Sequence, residues 1–351
     1  MARFAKNANS AAKQLATSTL DYTKASLIYY QQGDSDAQVR KKAEITLKAA
    51  NSSFNTSTQE MSEYLTAVWN SYQVGADELE RYVDIMAALG AKTATSLEEI
   101  ATSMQKVAAT GNTVGVSMEQ VSSIIATVSS VTRESAESIG TSYKTIFARM
   151  GDLKLGKTDE DGIGLGQVSS SLEKIGVRVL DATGDLREMG DIITDLGNKW
   201  QTMTGAEKTA IAQVVAGKRQ YTQLMALFEN WDMYNQNLEI AGDSEGALQE
   251  MQDIYAESWA AASKRVKASL ESVYGAIIND KVIINITNNV ADLIDKVYSL
   301  VDAFGGLGPV LGGIGAIFMK NMKPQMADGI TKFINNLELS SGVAQEKFVK
   351  N

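Results

Sequence analysis

Apolar residues recur along most of this chain at intervals of three and four, the spacing of one helix face. Leu15, Leu20, Leu27 and Ile28 mark a first stripe, diluted by Ser and Thr. A turn at Gln32–Asp36 follows, with Asp36 as the expected N-cap of a helix whose face is Val39, Ala43, Leu47 and Ala50. Ser57 to Glu60 reads as a capping box, in which the first side chain and the fourth satisfy each other's backbone amides. It opens a helix carrying Met61, Tyr64, Leu65, Val68 and Trp69. Gly75-Ala-Asp77 begins the next, with Leu79, Tyr82, Val83, Met86 and Leu89 on one face and Gly90 as a left-handed stop.

Further boxes stand at Ser96 to Glu99, Ser117 to Gln120 and Thr204 to Glu207. The first leads into Ile100, Met104, Val107 and Ala108 and ends at Gly111. The second leads into Val121, Ile124, Ile125 and Val128 and is expected to continue as helix from Ser129 to Met150. Boxes separated by glycines describe antiparallel helices joined by short loops. Gly151–Gly166 reads as a Gly-rich loop. The only β signal is a small ribbon near 176–188, where Val177 and Val179 flank Arg178 and Ala182–Asp185 resembles a hairpin turn. Helix resumes from Met189 to Trp200, and the Thr204 box opens one that ends near Trp231.

After a break at Gly242–Gly246, apolar residues at 248, 251, 255, 259, 262, 266, 270 and 273 form a coiled-coil-like seam. A second amphipathic face follows at Val290, Leu293, Ile294, Val297, Leu300, Val301 and Phe304. Ala303–Met319 is Gly-rich, apolar and uncharged, at the short end for a bilayer span. The expected fold class is therefore mainly α. It has four parts: N-terminal helices over 1–75, a folded multi-helix hairpin and bundle core over 76–246, coiled-coil-like helices over 247–302, and a Gly-rich apolar segment with a polar tail over 303–351.

Composition narrows the chemistry. With only two Pro among 351 residues, both after position 300, nothing before them breaks a long helix. Neither Cys nor His is present, which removes thiolate and imidazole metal sites, disulfides and the Ser-His-Asp triad. A net charge of −9 argues against specific nucleic-acid binding. Gly162-Ile-Gly164-Leu-Gly166 is no dinucleotide loop, since Gln167 stands where the third Gly belongs. Ala216-Gly-Lys-Arg219 fails as a phosphate loop, because Ala212 and Arg219 replace the Gly and Ser/Thr required. Asp159-Glu-Asp161 lacks the alternation of a calcium loop. Tyr221, Leu224, Met225 and Phe228 follow core spacing, and Trp69, Trp200, Trp231 and Trp259 are expected as packing anchors. Arg133, Lys144 and Arg149 read as a solvated or interface face. The sequons at Asn51, Asn55 and Asn285 are expected to be chance matches, because the opening MARFAKNANS carries no apolar run of signal-peptide length. No catalytic, cofactor-binding or metal-ligating residue is assigned, and the expectation is a non-enzyme.

Five segments between about Thr17 and Gly275, taken in order, resemble the core of tail tape measure proteins of long-tailed bacteriophages. They are DYTKASLIYYQQGDSD, the run SLEEIATSMQKVAATGNTVGVSMEQVSSIIATVSSVTRESAESIGTSYKTIFARMGDLKLG, LEKIGVRVLDATGDLREMGDII, QVVAGKRQYTQLMALFENWD and IYAESWAAASKRVKASLE. The resemblance implies a virion protein of the tail lumen, assembled in the host cytoplasm. It implies self-association along the tail axis, with length setting the number of tube rings. Partners would be the tail tube protein, tail tip proteins and tail assembly chaperones. At genome ejection the protein would leave ahead of the DNA, and some members serve passage across the host membrane. Members of this kind are commonly longer, so a core fragment or short member is expected. Two alternatives stand beside this: a chemoreceptor-like signalling coiled coil, from the texture of ATVSSVTRESAESIG, and a wall-degrading carboxylate hydrolase, since some proteins of the resembled family carry such domains.

Overall fold

The computed structural model describes residues 2–269, apart from 54–55, 73–77, 152–161, 259 and 266. Within them the chain is helical: α1 (Ala2–Gln14), α2 (Thr19–Gln31), α3 (Asp36–Asn51), α4 (Thr58–Tyr72), α5 (Leu79–Lys92), α6 (Leu97–Thr113), α7 (Met118–Thr132), α8 (Ala136–Gly151), α9 (Leu165–Glu173), α10 (Met189–Trp200), α11 (Gly205–Glu229), α12 (Trp231–Gly242) and α13 (Ala247–Ala256). Helical turns follow at 260–265 and 267–269.

The capping boxes set the helix starts. Ser57 with Glu60, Ser96 with Glu99, Ser117 with Gln120 and Thr204 with Glu207 make both reciprocal bonds. At α3 the cap is Ser35, boxed with Gln38, and Asp36 stands instead in the first turn, where a carboxylate favours the positive end of the helix.

Two helices lie in the middle because they are apolar or small on every side. On α5 all residues from Val83 to Leu89 are buried, and on α7 all from Val121 to Ser129. The stripe expected for α5 is thus one side of a helix whose middle two turns are enclosed. α12 packs on both, α13 covers α5, and α6 runs between α4 and α8. One hydrophobic core extends from Tyr29 on α2 to Leu248 on α13. A second, smaller one joins Ala8 and Ala12 of α1, Tyr22 and Ala25 of α2, Ala43 and Leu47 of α3, and Ala268.

Small residues let these helices approach closely. A Cβ on Gly140 of α8 would lie 2.5 Å from the Ser103 carbonyl oxygen of α6, and Ser103 Oγ donates to the Ala136 carbonyl at 2.7 Å. Gly90 and Gly111, expected as stops, do the same work. α5 and α6 run past them to Lys92 and Thr113, and a Cβ would meet the Leu97 amide nitrogen at 2.5 Å or Val121 Cγ2 at 3.1 Å. The left-handed residue after α6 is Gly115. The helix expected from Ser129 to Met150 breaks at Arg133, which is left-handed at φ 58°.

Two further expectations change. The ribbon contracts to one antiparallel bridge, Leu180 with Leu186, around a turn with Gly184 at φ +88°. Its outgoing side passes at once into α10, whose Met189 amide bonds the Val114 carbonyl at 2.8 Å. The seam from 248 begins inside the core, since Leu248 is fully buried, and α13 stops at Ala256. Positions 259, 266, 270 and 273, the face at Val290–Phe304 and the segment Ala303–Met319 lie outside the described residues.

Gly140→Ala is expected to destabilise the protein by ~1–3 kcal/mol through overpacking against backbone. Gly166→Ala, on the exposed side of α9 with open space around it, is expected to stabilise by ~0.4–1 kcal/mol. Chemical denaturation of both variants checks this; an unchanged midpoint for Gly140→Ala would refute the close α6–α8 crossing.

Candidate functional site

The sequence nominated no catalytic or ligand residue, and the organised polar chemistry of the structure gathers where the beginning and the later part of the chain meet. Ala16, in left-handed geometry at φ 52°, turns α1 into α2 and leaves the Leu15 and Ala16 carbonyls facing α13. Asn51 Nδ2 donates to Leu15 O at 2.8 Å, and Gln252 Nε2 donates to the same oxygen at 3.1 Å. Tyr255 Oη donates to Ala16 O at 3.2 Å, and Lys264 Nζ to Asn51 Oδ1 at 3.3 Å. Asn9 Nδ2 donates to the Ala268 carbonyl at 2.8 Å. Asn51, a sequon residue, thus spends its amide inside the molecule.

Asp84 closes the other end of α13. Its Oδ1 accepts from the Leu248 amide at 2.8 Å and its Oδ2 from the Gly246 amide at 3.2 Å. The carboxylate caps a helix start that lacks a side-chain cap of its own, with Gly246 left-handed at φ 81°. Burial pushes the Asp84 carboxyl above the usual carboxylate range, against the pull of the two amides. Sequence reasoning passed over Asp84, Gln252 and Asn51, although an Asp embedded in VDIMAALG was a visible anomaly.

Arg149 carries a second structural role. Its guanidinium donates to the carbonyls of Val214 and, at 2.7 Å, Val215. Those carbonyls are released because α11 breaks at Gly217, with φ 77° and ψ 165°. Only glycine takes this geometry without strain. Arg133 donates to the Ala94 carbonyl, while Lys144 stays exposed. The three cations therefore do not form one face. Beyond the break, α8 and α11 border an open cleft of about 530 Å³ lined by Glu134, Glu137, Arg219 and Gln223. Gln223 Nε2 donates to Glu134 Oε1 at 2.6 Å.

Three of the four tryptophans expected as anchors are in place. Trp69 Nε1 donates to the Leu79 carbonyl at 3.1 Å. Trp200, Phe228, Trp231 and Tyr234 form a continuous series of ring contacts, with centroids 4.9, 5.7 and 4.6 Å apart. Leu224 and Phe228 are buried, and Tyr221 and Met225 pack against the core. Trp259 and the acidic Asp159–Asp161 lie outside the described residues. Among the described residues no cluster of three or more acidic side chains is placed to hold a metal ion.

Only half of the first expected stripe is inward: Ile28 packs against the main core and Leu15 against the smaller cluster, while the two leucines of α2 point the other way. Tyr22, Ala25, Ser26 and Tyr29 are buried, whereas Leu20 and Leu27 are 54% and 56% exposed. The Tyr29 hydroxyl, 2.6 Å from Thr46 Oγ1, and its ring, 5.9 Å from that of Trp69, fix this orientation.

A family model described as phage-related minor tail protein matches residues 5–217, more than half of the chain. No solved structure matches.

Gln252→Leu is expected to cost ~0.5–1.5 kcal/mol, since Leu15 O loses one of its two donors and keeps Asn51, and to speed hydrogen exchange in α1. Unchanged exchange there would refute the clasp. The pH dependence has two opposite parts. A carboxyl whose folded pKa stands above its unfolded value binds a proton on folding, so Asp84 contributes more as pH falls toward the ordinary carboxylate range. Glu207 is held low by the Thr204 amide and hydroxyl, so its contribution is present above that range and is lost in acid. From about pH 7 to about pH 3 the wild type should gain stability relative to Asp84→Asn and lose it relative to Glu207→Gln. Parallel stability curves would overturn either assignment.

Proposed function

We propose, for a chain that belongs to the phage-related minor tail protein family, that it is the folded core of a tail tape measure protein. Membership carries the coarser statement plainly: this is a structural component of a phage tail. The finer reading rests on one observation. The segments that resemble tape measure proteins fall on α2, α6 to α8, the end of α9 through the start of α10, and the far part of α11, which are packed around one core, and on the end of α13 with the turns after it, where Ala268 joins the smaller cluster.

A chain folded back this often contributes little length. α6, with 17 residues, is about 25 Å long. We therefore place the ruler outside these residues and assign the folded part to assembly and to release ahead of the DNA. It acts as a non-enzymatic scaffold whose partners are further copies of itself, the tail tube protein, tail tip proteins and assembly chaperones. Any contact with the host membrane falls to Ala303–Met319. Among the described residues no helix is long and apolar enough to cross a membrane. The signalling coiled-coil alternative needs long uninterrupted hairpins, and the longest helix among the described residues, 25 residues, is broken at Gly217.

Electron microscopy of phage tails tests the reading. Eight helical heptads inserted after Ser341 should lengthen tails by about 80 Å, at ~1.5 Å per residue. Deleting α6 and α7 should abolish tails instead of shortening them. Tails of unchanged length after the insertion would refute the tape measure assignment and leave the family assignment standing.

A further inference from the structure

Six large hydrophobic side chains are exposed among the described residues, and three of them, Leu20, Leu27 and Tyr30, lie on α2. Their spacing of seven and three makes one outward stripe, with Lys24 between the leucines. The helix cannot roll to bury them, because Tyr29 is tied to Thr46 and packed on Trp69 on the opposite side. A stripe with heptad spacing, fixed outward, is the complement of another amphipathic helix.

The chain itself carries such a partner close by. Ala268 is fully buried against α1, α2 and α3, and its carbonyl is held by Asn9. The described residues therefore end, at 269, beside α1, α2 and α3. The stretch 270–289 can span up to about 65 Å when extended, and a helix such as α2 is only ~10–12 Å across. Val290, Leu293, Ile294, Val297, Leu300, Val301 and Phe304 then follow at helical spacing, and Asp292 and Asp295 flank the apolar positions with charge opposite to Lys24. We propose that the outward face of α2 (Leu20, Leu27 and Tyr30) is the docking surface for the chain's own segment Val290–Phe304. The docked segment extends the small cluster of α1, α2, α3 and Ala268 by one layer and shields the leucines from other apolar surfaces.

The absence of cysteine makes the test clean. The full-length chain carrying Leu27→Cys and Leu293→Cys is oxidised at about 1 μM, where a tethered partner at millimolar effective concentration outcompetes a second copy roughly a thousandfold. A control pairs Leu293→Cys with Ala210→Cys, an exposed position on α11. The expected result is an intramolecular disulfide formed at least roughly tenfold faster than in the control. Covalent dimers as the main product would overturn the proposal in favour of a second copy, and rates equal to the control would overturn it altogether. A second arm uses Leu20→Asp with Leu27→Asp, both at exposed positions. With far-UV dichroism unchanged, trypsin cleavage after Lys296 should accelerate roughly tenfold; an unaltered rate refutes the docking.

Discussion

The crossing of α8 over α6 at Gly140 and Ser103 is the contact on which the remaining packing is hung. Backbone meets backbone there, so neither helix can slide or rotate without a collision. With α8 fixed, its later turns aim specific groups at α11. Tyr143 donates its buried hydroxyl to the Gln223 carbonyl at 3.0 Å, beyond the break at Gly217. Arg149 takes the carbonyls of Val214 and Val215, before the break. One helix thus holds both halves of another, and the redirected half leads to Trp231 and α12, which closes over α5 and α7.

Much of this was legible from local chemistry. Four capping boxes were readable because a cap is a pattern of neighbours, and α10 was bounded correctly at Met189 and Trp200, although it carries no side-chain cap. What could not be read was whatever depends on distant partners. Gly90 and Gly111 look like helix stops until the helix passing beside them is known. The α2 stripe looks like a core face until Tyr29 and Trp69 show which side is locked. Arg133 carries no local mark of left-handed geometry. The carbonyls that Asn51, Gln252 and Arg149 satisfy belong to residues far away in sequence, so nothing near these side chains announces them. A chain without Cys or His cannot build a thiolate or imidazole site, and that much is plain in the sequence.

The join between α1, α3 and α13 is polar for a physical reason. A left-handed residue at Ala16 turns two carbonyls away from any helix ladder, and a buried carbonyl without a donor costs more than the amide groups supplied to meet it. Amide side chains on α3 and α13, with a Tyr hydroxyl, supply those donors from two directions. The same logic puts the Asp84 carboxylate under α13, where it replaces the cap that Gly246 cannot provide. Both arrangements tie the later helices to the earlier ones by directional bonds, which specify register more tightly than apolar contact alone.

The family match ends at Gly217, the residue at which α11 breaks. The helices beyond that point are nonetheless the ones that pack on α5 and α7 and supply one amide and a Tyr hydroxyl to the α1–α2 turn. The matched stretch is therefore shorter than the packed unit. A chain cut at that glycine would bare the sides of α5 and α7 that α12 and α13 cover, with aggregation as the foreseeable outcome. Sequence change after 217 is free only to the extent that it goes on roofing those two helices.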